Sequence, residues 1–283
     1  STLVLGLVLA GNLQTGALGE ARVRVLAVHL HVALVGWVLM MIVGISHRLL
    51  PMFLLAHGVD SRWTRRAIVL LAAGVVMLAA GVLCGFWGAH QPVQHGLTWV
   101  GAGLIDGGVL SYLVQARLLF KARMRPRLDA GLRHAALSLL FLALAAALGP
   151  IVLARGAGHP RLAVAYVMLG LLGGLVLFAT GQFYKIVPFL VWISRFRNDM
   201  GRRPVPTVAE LYSARAAHAG LAFFALAIAL LVGGVALGNA IVVRGGALLF
   251  AGGAAMFLSQ MTRVAFAGLP TVAGDPSTAG VRS

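Results

Sequence analysis

Apolar residues run along this chain in stretches of about twenty, broken at short intervals by arginines, glycines and prolines. A hydrocarbon layer about 30 Å thick needs about 20 apolar residues per helix, so each stretch reads as one crossing. Eight are predicted, at approximately 1–18, 25–55, 67–88, 96–117, 135–154, 162–193, 215–237 and 241–262. The 283 residues are 60% hydrophobic and 11% charged, with a mean hydropathy of +0.94, which leaves too little polar surface for a water-soluble exterior. The expected fold is all-α: a polytopic transmembrane helical bundle of about eight spans, forming a single transmembrane domain over 1–266. Residues 267–283, rich in Gly, Pro and Ser, read as a flexible tail. The first stretch has neither flanking charges nor a small-residue cleavage site and does not read as a signal peptide.

Charge adds an orientation. The formal net charge of +16 would suit nucleic acid on a soluble protein, but here the basic residues fall in loops between apolar helices, so no nucleic-acid partner is expected. Eighteen of the 23 basic residues, from Arg48 and Arg62 to Arg263 and Arg282, fall on one side of the predicted bundle. Arg22, Arg24, Arg155, Arg161 and Arg244 fall on the other. The positive-inside rule puts the crowded side in the cytoplasm. The single cysteine, Cys84, excludes an internal disulfide and an all-cysteine metal or iron–sulfur site.

The second and sixth stretches end alike. Gly44, Arg48 and Pro51 each find a counterpart 137 residues on, in Gly181, Lys185 and Pro188, and Gly36 pairs with Gly173 at the same offset. The chain therefore reads as two parallel four-helix repeats, about 1–117 and 135–262, because an even number of crossings preserves direction. Proline near the end of each long span removes an intrahelical donor. The basic residue three positions before it is read as a snorkelling anchor, with a ligand-binding role as the alternative.

Against this scaffold two positions stand out. His29 and His31 lie about four to six residues below the outer surface, roughly 6–9 Å at the helical rise. At their repeat positions stand Tyr166 and Met168. An imidazole pair in hydrocarbon is costly and marks a functional position. Two residues apart on a helix means about 200° of rotation, so the rings face opposite ways and one metal ion shared by both is disfavoured. Axial ligation of haem iron between helices suits the arrangement. The alternative is one ring in the headgroup region and the other hydrogen-bonded to a neighbour.

His29-x-His31-Val, with Met40, Gly44 and Pro51 following on the same helix, resembles the tenth helix of the haem-copper oxidase catalytic subunit, nearest to cbb-type oxidases and nitric oxide reductases. The likeness covers about 25 residues. It implies a haem b bound by an H-x-H helix, with His31 similar to the low-spin ligand and His29 to the high-spin ligand. It also implies a multi-pass protein of the bacterial plasma membrane with a quinol or cytochrome c as electron donor. The chain departs from the family in having no His-His pair and no His-x-x-x-Tyr. No copper is therefore expected from this chain, and the likeness supports haem binding in electron transfer or gas handling more than it supports catalysis.

Other polar residues extend the picture. His95, at the start of the fourth stretch, is a candidate to oppose His29 or His31 across a haem. Asp106, about ten residues into the same stretch, is the only acid so deep in the chain's apolar segments. It suggests a proton path extended by Thr98, Ser111, Thr180 and Gln182, while the Gly pair beside it equally suggests close helix packing. His47, His134 and His218 gather on the basic side, either as a second haem or quinol site or as wetted interfacial rings. Thr207 with Glu210 fits a capping box opening a short helix. Two further functions stay open: a haem-free transporter or assembly factor working around Asp106, and a fragment of a full oxidase or nitric oxide reductase whose copper-binding arc precedes Ser1. Membrane lipid is the expected surrounding of the bundle.

Overall fold

The computed structural model describes residues 2–86, 88–124, 126–155 and 159–268. The expected tail falls outside these residues except for Ala267 and Gly268. Eight apolar helices follow one another: α1 (Thr2–Thr15), α2 (Ala21–Leu54), α3 (Arg62–Phe86), α4 (Gln91–Lys121), α5 (Ala130–Arg155), α6 (Pro160–Arg195), α7 (Ala214–Leu237) and α8 (Ala240–Phe266). There is no strand among the described residues. The chain is a multi-pass membrane protein, with seven helices among the described residues long and apolar enough to cross. The first predicted span differs. Helix α1 has 14 residues, about 21 Å, because glycines with φ of +64° and +49° at 16 and 19 turn the chain before α2.

Helices α3 and α4 pair along their length, as do α7 and α8. Glycine permits the first pairing. A Cβ on Gly74 would sit 2.7 Å from the Ile105 amide nitrogen, and one on Gly101 would sit 2.6 Å from that of Leu78. In hydrocarbon such backbone approach supplies the packing that the hydrophobic effect supplies in water.

The two largest apolar cores lie within the helices. One gathers Val43, Leu71, Val75 and Val109 from α2, α3 and α4. The other gathers Phe141, Leu177, Phe224 and Ile228 from α5, α6 and α7. The seam is made by α5 and α6, which also give Leu142 and Leu175 to the first core.

Both long helices carry a π-helical stretch that the sequence did not foretell: His31–Leu39 in α2 and Leu169–Val176 in α6. Leu39 and Val176, their last residues, are 137 apart, the offset of the sequence repeat. The two stretches touch at the seam. A π turn holds an extra residue, so it rotates the side chains beyond it relative to those before it. Pro51 and Pro188 lie inside their helices, and the residue after Leu54, Leu55, takes a left-handed conformation that ends α2.

The short helix expected after Pro206 forms as a 3₁₀ turn, Val208–Leu211. Its capping box is present, with the Thr207 amide donating to the Glu210 carboxylate at 2.8 Å. Lys185 departs from the anchoring role. Rather than reaching outward it pairs with Asp129 at the start of α5, over the ring of Phe53, with 13% of its side chain exposed. Its counterpart Arg48 is exposed.

Candidate functional site

His31 is the first residue of the π stretch and sits where α2 meets α6. Its Nδ1 lies 2.8 Å from the Ala27 carbonyl, one turn back, a distance at which Nδ1–H donates to that oxygen. That bond fixes the tautomer and leaves Nε2 as a bare acceptor. The Tyr166 hydroxyl, 3.2 Å away, donates to it, and the two rings stack at 6.0 Å and 23°. Tyr166 occupies the repeat position of His29, so the second repeat supplies a hydroxyl to the histidine of the first.

Two cavities share this corner. The larger, about 700 Å³, opens among α2, α3, α4, α5 and α6 and is lined by His31, His95, Arg24, Gln94, Thr98, Asp106 and Tyr166 among apolar residues. The smaller, about 250 Å³, lies between α2 and the α5–α6 pair, and every residue lining it is apolar except His31, Asp106 and Tyr166. Asp106 is half-buried and faces both. A Cβ at Gly149 would lie 3.4 Å from the Tyr166 ring and 3.7 Å from the Asp106 carboxylate, so α5 has no side chain at the point where these two groups approach.

Of the expected site residues, His31, His95 and Asp106 are brought to one cavity. His95 lies one turn inside α4 rather than at its start, because Gln91 and Pro92 already open that helix. His29 is set apart. It turns the other way, as 200° of rotation requires, and its ring touches α1, where a Cβ on Gly6 would be 3.3 Å from Cε1. Its Nδ1 is buried there without a partner.

Of the four residues expected to extend a proton path from Asp106, only Thr98 lines a cavity that Asp106 also lines. Thr98 lines the larger cavity with its hydroxyl on the Gln94 carbonyl, whereas Ser111 and Thr180 bond back to their own helices and line neither cavity. The Gln182 carbonyl oxygen is buried without a partner.

A second polar group forms at the arginine-rich end of the second repeat. His134, 1% exposed, donates from Nδ1 to the Ala130 carbonyl at 2.8 Å, and its ring lies 5.3 Å from that of Tyr184. The Nε2 atoms of His134 and His218 are both buried and unpartnered. Tyr212, 5.2 Å from Tyr184 and just ahead of α7, has its phenol pushed up to about 12 by burial and then by the nearby Asp129 charge. His47 is exposed rather than sharing in the packing.

The residues at the larger cavity fit a haem. Its volume lies in the range of pockets that enclose a cofactor. Two imidazoles from separate helices line it, one already oriented by a backbone carbonyl as metal-bound histidines are, and Arg24 offers a cation for carboxylate substituents. Among the described residues no three His, Cys, Asp or Glu side chains are grouped to hold a bare metal ion. The chain matches no protein-family model, no curated protein and no solved structure.

Proposed function

We propose that this chain is a b-type haem-binding protein of the bacterial plasma membrane, with its arginine-rich loops in the cytoplasm, serving electron transfer or gas handling. One observation carries the reading: His31 of α2 and His95 of α4 line the same cavity among apolar helices, with His95 exposed one turn inside the start of α4. These two imidazoles would hold the haem iron. A haem bound there supplies a one-electron redox centre.

The protein's own groups hold and tune that position. The Ala27 carbonyl orients the His31 ring, and the hydrogen bond that Nδ1–H donates to it makes Nε2 a better ligand. Arg24 neutralises anionic substituents at the rim. Leu78, Val82 and Ile105 exclude water from the cavity interior. Because His29 faces α1, the proposal for this cavity rests on His31 and His95.

Protein purified from haem-replete cells should show Soret and alpha bands in reduced-minus-oxidised spectra. His31→Ala and His95→Ala should abolish or strongly shift them, and His29→Ala should leave them in place. A colourless preparation after haem supplementation overturns the reading.

A second reading is favoured by the position of Asp106 on the wall between two cavities. In a haem-free transporter that carboxylate would carry a coupling proton. Uptake into vesicles would then be lost in Asp106→Asn and unchanged in His31→Ala.

A further inference from the structure

Helix α2 turns outward a row of side chains that line neither cavity. Trp37, Met41 and Ile45 are 68%, 49% and 50% exposed, and exposed Arg48 and Met52 continue the row toward the arginine-rich end. Steps of four, four, three and four residues keep them on one helical face. Gly44 lies on that face one turn before Arg48, and a Cβ built there would meet nothing within 4 Å. The row thus has a dent beside its cation.

That cation lacks a counter-charge. At the arginine-rich end, each acid among the described residues is already engaged: Asp60 with Arg62, Asp129 with Lys185, Asp199 with Arg203, and Glu210 with the Thr207 amide. Arg48 shares in none of these pairs. Its repeat counterpart shows what this position accepts, because Lys185 is met there by a carboxylate from α5. At Arg48 the anion has to come from outside the described residues.

Two occupants could cover an apolar face that ends in a guanidinium. Copies of this chain related by a two-fold axis along the membrane normal would set Arg48 opposite Arg48 at one depth, with no acid in the row to separate them. Like charges disfavour that pairing. An amphiphile with an anionic head and an apolar tail satisfies the whole row. Trp37 precedes Arg48 by about 16 Å at the helical rise, a length that an extended acyl chain covers.

We propose that this face of α2 binds an anionic phospholipid, its phosphodiester held by Arg48 and an acyl chain laid over Gly44 toward Trp37. Arginine suits the task, because its planar fork donates two parallel hydrogen bonds to phosphate oxygens. The arginine-rich loops add a field that favours a headgroup of net negative charge over a zwitterionic one. The site is independent of the haem, whose proposed ligands His31 and His95 line a cavity that this row does not reach.

The test reconstitutes the protein in phosphatidylcholine nanodiscs carrying increasing fractions of brominated phosphatidylglycerol or brominated phosphatidylcholine. Bromine on an acyl chain quenches an indole that it touches, and subtracting the signal of Trp37→Phe isolates Trp37 from the other four tryptophans. Phosphatidylglycerol should half-quench Trp37 at a roughly 5-fold lower fraction, the size expected for one cation at the membrane surface. Arg48→Gln should erase that preference and Arg48→Lys should keep most of it. Arg202→Gln, which removes an exposed cation of the loop after α6, should leave it unchanged. Glycerol 3-phosphate, a head without a tail, should not compete.

Equal quenching by the two lipids, or equal loss of preference in Arg48→Gln and Arg202→Gln, overturns the proposal. Trp37 quenched by neither lipid also overturns it and assigns the face to a second copy of the chain.

Discussion

Helices α2 and α6 occupy corresponding places in the two repeats, yet they are held differently. In its most apolar stretch α2 has 17% of its residues buried and α6 has 39%. Helix α6 is clasped by α5: Cβ atoms built at Gly131 and Gly181 would each lie 2.6 Å from the other's carbonyl oxygen. The counterpart of Gly181 in α2 is Gly44, where an added Cβ would meet nothing within 4 Å. The cations diverge in the same way, Lys185 paired with Asp129 and Arg48 exposed. An exposed row of Trp37, Met41 and Ile45 completes the free face of α2. One pattern of glycine, cation and proline thus serves a clamped helix in one repeat and a loosely packed one in the other. The loosely packed helix carries the histidines. Room beside α2 is what a bound ligand requires, whereas the clamp on α6 fixes the position of Tyr166 opposite His31.

This contrast can be broken by substitution at paired positions. The largest effect is expected at the crossing of α5 and α6. Gly181→Ala should destabilise by about 1–3 kcal/mol, because the methyl meets backbone that cannot retreat. Gly44→Ala should be neutral or stabilising by up to about 1 kcal/mol through helix propensity. Thermal unfolding in one detergent measures both, and equal shifts would erase the distinction between the two helices.

Next come the cations. Lys185→Met strands Asp129 and should cost about 1–2 kcal/mol, reduced from the cost at a fully buried pair by the partial exposure of Asp129. The double variant with Asp129→Asn should recover most of that loss, and Arg48→Met should change stability by less than about 0.5 kcal/mol.

The smallest effect sharpens the packing of α2. The Tyr112 hydroxyl of α4 donates to Ser46 of α2 at 3.1 Å, a buried bond between these two helices. Tyr112→Phe should cost about 0.6 kcal/mol, the usual size for a hydrogen bond between membrane helices. A cost of several kcal/mol would mean that α2 depends on this bond for its place.

Much of this was written in the order of residues. Runs of about twenty apolar side chains have one stable arrangement in lipid, so the helices and their approximate limits follow from hydropathy alone. The opposed faces of His29 and His31 follow from helical pitch. The capping box at Thr207 is a local pattern whose bonds close within four residues.

What only the tertiary structure decided depends on contacts across large separations. No local rule says that Tyr166 reaches His31 from 135 residues away, or that His95 and Asp106 join it around one cavity. The π stretches also escaped. Their sequences are ordinary apolar runs, and an extra residue per turn arises where packing between helices outweighs the regular hydrogen-bond ladder. The pairing of Lys185 with Asp129 was hidden for the same reason, because a cation near a helix end reads alike whether it meets water or a carboxylate brought to it by another helix. Pitch and hydropathy are properties of neighbours in the chain. The site is made where α2, α4, α5 and α6 meet, and that meeting is set by which glycines let backbones touch and which side chains keep them apart.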